Sequence, residues 1–184
     1  VQVRFRFVIE ESRIVELDIN KESVKKDWNY PEYVEKSSYK IRPVLIQSSN
    51  YALPGEISQP IKPQTDKWVI FIHGSGPSDR DESVFALKIF KDLALGLASE
   101  GISGLRYDKN SYLFAKELSK NKTMTIWDET GRDVVSAVNY LKEYENVKSE
   151  DIVLLGHSQG AMMIPKICDS VQVGAAIMIA GNAR

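Results

Sequence analysis

The sequence has 184 residues, 24 Lys and Arg against 25 Asp and Glu, and an apolar fraction of 43%, the profile of one globular domain with enough chain for a sizeable core. A net charge of −1 with no basic stripe argues against a nucleic-acid surface, and no apolar run approaches the roughly 20 residues of a membrane span. The single cysteine, Cys168, cannot form an internal disulfide, so nothing calls for an oxidising compartment; the compartment stays open, with the cytoplasm favoured.

Residues 1–19 alternate apolar and polar with period two, Val1, Val3, Phe5 and Phe7 against Gln2, Arg4 and Arg6, then Val15, Leu17 and Ile19. The pattern predicts a β-hairpin turning near Glu10 to Ser12. The charged stretch Asn20 to Ser38 reads as a solvated connector, dividing an amino-terminal segment, 1–37, from a main domain, 38–184. Strands are predicted at Tyr39 to Gln47 and Leu53 to Ser58, and the continuous apolar run Trp68 to Ile72 suits a central parallel strand covered on both faces. Helical spacing of Phe85, Ala86, Ile89, Phe90, Leu93, Ala94 and Leu97 predicts a helix over Ser83 to Glu100, closed by a left-handed Gly101. A strand at Ile102 to Tyr107 follows. Thr125 with Asp128 reads as a capping box before a helix reaching Tyr144. Ile152 to Leu155, Gln159 to Val171 and Val173 to Ile179 then read as strand, helix and strand. This alternation predicts an α/β fold with a mostly parallel central sheet and helices on its faces.

Chemistry concentrates at two strand ends. Gly156-His157-Ser158-Gln159-Gly160 is a GxSxG pentapeptide directly after one buried strand and directly before a helix. A serine alcohol attacks a carbonyl only when a tight turn exposes its oxygen, a base lies nearby and amide N–H groups await the oxyanion. Ser158 is therefore the candidate nucleophile, with Gly156 and Gly160 permitting the turn. The second motif, His73-Gly74-Ser75-Gly76-Pro77-Ser78-Asp79-Arg80-Asp81, follows Trp68 to Ile72. Open parallel sheets build sites beyond the carboxyl ends of their strands, so both motifs are expected to face one crevice. A loop held open by Gly74 and Gly76 can aim the Ser75 N–H at a developing oxyanion, with the Gln159 N–H as second donor. A phosphate loop is the poorer reading, since the third glycine of a dinucleotide fingerprint and a GK[ST] are both missing.

These motifs resemble the α/β-hydrolase superfamily, in particular bacterial carboxylesterases with an HGSGPxDRD loop, a GHSxGG elbow and an Ala-Gly-x-Ala-Arg sequence, here Ala180-Gly181-Asn182-Ala183-Arg184. The resemblance spans Tyr39 to Arg184. Ala161 stands where the pattern has a second glycine, and Pro165 is read as a tolerated kink in the helix. The resemblance implies a serine carboxylesterase acting on a small-molecule ester, with no cofactor. It also implies the chain order nucleophile, acid, histidine. Only 26 residues follow Ser158, too few for both partners, so the acid and histidine are expected beyond Arg184. The start at Val1 and the abrupt end agree with a fragment that alone is nearly inactive.

His73 and His157 read as structural histidines, and Asp79, Asp81 and Asp108 as capping or loop-pinning groups. Met162 and Met163 read as core filling, Cys168 as a buried small hydrophobe, and Asn121-Lys122-Thr123 as a chance sequon. No cluster has metal-ligand spacing, so no metal is expected. An unpaired final strand predicts self-association through the open sheet edge. The competing reading is a catalytically dead hydrolase-like module that binds a partner; thioesterase, acyltransferase or peptidase chemistry would use the same parts.

Overall fold

The computed structural model describes residues 2–10 and 13–22 at the level of the backbone and residues 27–181 in full. Strands β1 (Gln2–Glu10) and β2 (Arg13–Glu22) pair antiparallel as a separate hairpin; of the predicted turn, Glu10 to Ser12, Glu10 ends β1, and Glu11 and Ser12 lie outside the described residues. β3 (Tyr39–Ser48), β4 (Tyr51–Pro60), β5 (Trp68–Ile72), β8 (Ser103–Tyr107), β9 (Ile152–His157) and β10 (Ala175–Ile179) form one sheet in the order β10-β9-β5-β8-β4-β3. The pairs β10/β9, β9/β5 and β5/β8 are parallel, whereas β8/β4 and β4/β3 are antiparallel. The alternation of side chains along a strand sorts the core into two layers. Val69 and Phe71 meet Phe90 and Ala94 of α1 (Ile89–Ser99) on one face. Ile70 and Ile72 meet Val134, Val138 and Leu141 of α4 (Arg132–Tyr144), with Ile164 and Ile167 of α5 (Gln159–Cys168), on the other.

The helix predicted from Ser83 begins only at Ile89. Before it, β6 (Ser83–Val84) and β7 (Leu87–Lys88) make a miniature hairpin. The Asp79 carboxylate accepts from the N–H groups of Asp81 and Ser83 and from the Ser83 hydroxyl, and Glu82 and Phe85 take φ of 48° and 57°. Those local bonds satisfy the backbone in a turn and override the helical spacing. Gly101 closes α1 with φ 85°, and Thr125 and Asp128 exchange hydrogen bonds in both directions as a capping box does. The turn it caps is a π-helix, Trp127–Gly131, running into α4. Two short helices, α2 (Asn110–Leu113) and α3 (Ala115–Leu118), were not predicted.

The polar stretch before β3 is anchored: Val34 packs with Leu95 and Ala98, and the Trp28 indole N–H donates to Asp92 Oδ1 at 2.7 Å. Cys168 is exposed, against the expectation of burial. Ala161, Ile164 and Ile167 form the buried stripe of α5, and the next residue points about 100° away from it. Strand β10 lies at the sheet edge and all five of its residues are exposed. No helix among the described residues is long and apolar enough to cross a membrane.

Candidate active site

A single residue separates β9 from α5. That residue, Ser158, holds φ 51° and ψ −114°, a conformation that costs a side chain-bearing residue about 1–3 kcal/mol and persists only where its surroundings enforce it. They do so by contact. A methyl group at Gly156 would fall 2.6 Å from Ala161 N, and one at Gly160 would collide with Ile72 O. The elbow therefore sits directly on the backbone of β5 and on its own helix. The Ser158 N–H donates to Ile179 O at 2.9 Å, tying the bend to β10. Its side chain is half-buried, and its hydroxyl takes no hydrogen-bond partner among the described residues.

The glycine-rich loop leaves the end of the neighbouring strand, β5, and meets this bend. A methyl group at Gly74 would lie 3.4 Å from Ser158 Cβ and 3.5 Å from His157 Nδ1, so the two motifs lie side by side. Gly74 N–H donates to Glu82 Oε1 at 2.7 Å and Gly76 N–H to Glu129 Oε1 at 3.2 Å. Between them, Ser75 is exposed, and its N–H has no protein partner among the described residues. The Gln159 N–H, at the open first turn of α5, is equally unpaired there. Gly76 takes φ 82°, which only glycine adopts without strain.

Charged groups hold this loop from beneath. Lys109 is 1% exposed, and its Nζ donates to Gly74 O (2.8 Å), Gly76 O (3.1 Å) and Glu129 Oε1 (2.9 Å). Glu129 also accepts from Ser111 Oγ, and through Oε2 from Gln159 Nε2 at 3.1 Å. Burial holds the Lys109 ammonium below its ordinary range, with Glu129 opposing that shift. Burial also raises the Glu129 carboxyl, but hydrogen bonds from Lys109 and Gln159 outweigh it and leave it below its ordinary range. Sequence reading missed both residues. The available signal was that Lys109 lies just past the carboxyl end of β8, where sites in such sheets gather.

The predicted structural groups fall as follows. Asp108 accepts from the Arg80 N–H and pairs with its guanidinium at 2.6 Å, and Asp81 pairs with Lys88 and with the fully buried Arg106. His157 Nδ1 lies 3.0 Å from Glu82 Oε1. His73 is buried between Phe90 and Tyr107, its Nε2 without a partner, and desolvation with the nearby Lys109 charge lowers its pKa to about 3. Neither histidine hydrogen-bonds Ser158 Oγ. Met162 is exposed, which corrects its reading as core filling, whereas Met163 packs on the core. Asn182 to Arg184 lie outside the described residues. Among the described residues no group of three or more His, Cys, Asp or Glu is placed to hold a metal ion.

No protein-family model matches the sequence. A curated relative does: Esterase EstD of Thermotoga maritima is 37% identical over 164 residues, covering 89% of this chain and 38% of EstD. The chain thus spans well under half the length of that relative. Among solved structures, an arylesterase superposes with a TM-score of 0.60 at 14% identity, covering 86% of this chain and 49% of its own. An esterase of Pyrococcus furiosus gives 0.59 at 20% identity, covering 89% and 58%.

Proposed function

We propose that this chain, an esterase-like α/β-hydrolase in fold, carries the nucleophile and oxyanion donors of a serine carboxylesterase. Ser158 Oγ attacks the carbonyl carbon of a small ester. A base takes its proton, and the tetrahedral oxyanion accepts from the Ser75 and Gln159 N–H groups. Collapse breaks the bond to the alcohol, which leaves with that proton, and water then releases the acid from Ser158 by the same route in reverse. The observation that carries this reading is the close approach of the glycine-rich loop to the strained Ser158, with one unpaired amide on each side. Both histidines of the sequence are accounted for away from Ser158 Oγ, so the base and its acid are proposed to come from outside these 184 residues.

A fluorophosphonate probe tests this. With the complete protein it is expected to label within minutes, and peptide mass mapping to place the adduct on Ser158. The 184-residue chain alone is expected to label orders of magnitude more slowly, because only a base-activated serine is nucleophilic enough. A complete protein inert to the probe would point instead to a module that binds a partner without catalysis.

A further inference from the structure

The Lys109–Glu129 pair remains unexplained by the chemistry above. Lys109 is buried, and its three protons go to two loop carbonyls and one carboxylate. Burying an ammonium costs desolvation that one partly exposed carboxylate does not fully return, and an apolar residue of the same volume often does better. What the pair contacts is therefore informative.

We infer that Lys109 and Glu129 are positioning residues that turn the Ser75 amide, and hold the Gln159 segment, for oxyanion binding; the inference rests on the esterase reading. In a trans peptide the C=O of one residue and the N–H of the next share a plane and point in opposite directions, and the described residues contain no cis peptide. The Gly74 carbonyl points at Lys109 Nζ, 2.8 Å away. The Ser75 N–H is consequently driven the other way, off the buried side and toward the exposed one. The next two peptide units are held as well, the first by Gly76 N–H bound to Glu129 and the second by Gly76 O bound to Lys109. The Gly74 N–H is taken by Glu82. Of the three consecutive loop amides only that of Ser75 stays available. The ammonium also polarises the Gly74 peptide, which strengthens its Ser75 N–H as a donor. Glu129 completes the device between the loop and α5. One of its oxygens holds the loop and the other holds the Gln159 side chain at 3.1 Å, so one carboxylate sets the spacing of both donors.

The test uses the complete protein and its turnover of a short-chain aryl ester, with Lys109→Met and Glu129→Gln as variants. The Lys109→Met protein is expected to lose roughly 10²- to 10³-fold in kcat, the effect of removing one oxyanion donor, with KM changed less than about two-fold. Affinity for a trifluoromethyl ketone, which Ser158 converts to an oxyanion adduct, should fall by the same factor as kcat/KM. Should Lys109→Met fail to fold, the volume-conserving Glu129→Gln decides the matter, with an expected kcat loss of roughly ten-fold or more from misplaced donors. A folded variant that keeps wild-type kcat and ketone affinity, or that loses activity through KM alone, overturns the assignment of the pair. A wild-type protein that neither turns over esters nor reacts at Ser158 overturns the esterase reading itself, a distinguishable result.

Discussion

Replacing Ser158 by alanine in the complete protein is expected to lower kcat for a short-chain aryl ester roughly 10⁴- to 10⁶-fold, equivalent to about 5–8 kcal/mol of barrier. The size follows from what stays behind. Without the alcohol no acyl-enzyme can form, while the proposed oxyanion donors, the Ser75 and Gln159 amides, would still stabilise an oxyanion raised by attacking water, so a small residue of catalysis is expected to persist. Because Ser158 is half-buried and its hydroxyl binds nothing else among the described residues, the fold should tolerate the change. Its melting temperature is expected to stay level or rise, since alanine removes no hydrogen bond. Steady-state kinetics beside a thermal melt check both parts, and unchanged turnover would remove Ser158 from the mechanism.

The second large effect concerns acid stability and His73. Its folded pKa is lowered to about 3 from 6.5, first by burial and then by the Lys109 charge. The folded state therefore holds the ring neutral, while the unfolded chain binds a proton below pH 6.5. Its contribution to stability is full above that pH and is lost as pH falls toward 3, at about 1.4 kcal/mol per pH unit and on the order of 5 kcal/mol across the window. Asp133 acts in the opposite direction. Burial, against hydrogen bonds from Ser48 and Asn110, raises its carboxyl to about 6 from 3.8, so protonating it below pH 6 favours the folded state. The wild-type pH profile alone would mix the two. Urea unfolding of wild type and His73→Gln at pH 7, 5 and 4 separates them, because Asp133 is common to both. The wild-type protein is expected to lose stability relative to the variant at each step below pH 6.5. Parallel profiles would mean that the ring is not held neutral.

Patterns that act over a few residues were legible in the sequence. The apolar run Trp68 to Ile72 is a five-residue strand, Gly101 has the positive φ expected of a helix terminator, and the Thr125–Asp128 exchange formed as its spacing implied. The pentapeptide around Ser158 places a strand before it and a helix after it, as the buried run and the amphipathic run on either side suggested. Features set by distant contacts were not legible. Phe85 and Ala86 share the spacing of the helix that follows, and the carboxylate of Asp79 folding back on Ser83 holds this stretch in a turn instead. Lys109 and Glu129 are 20 residues apart, and neither lies in a motif. Their meeting depends on β8 ending beside the loop after β5, a matter of sheet order rather than of local spacing. Cys168 was misread because its helix is apolar in composition, although the buried stripe passes one residue to its side.

The proposed chemistry requires the Ser158 oxygen and the amides of Ser75 and Gln159 to surround one point in space where a carbonyl oxygen becomes negative. The crystal structure of the complete protein carrying a phosphonate on Ser158 measures this directly, since the phosphoryl oxygen stands in for that oxyanion. The oxygen is expected to sit about 2.7–3.1 Å from both Ser75 N and Gln159 N. An adduct whose oxygen turns away from these amides, toward other donors or open solvent, would contradict the account.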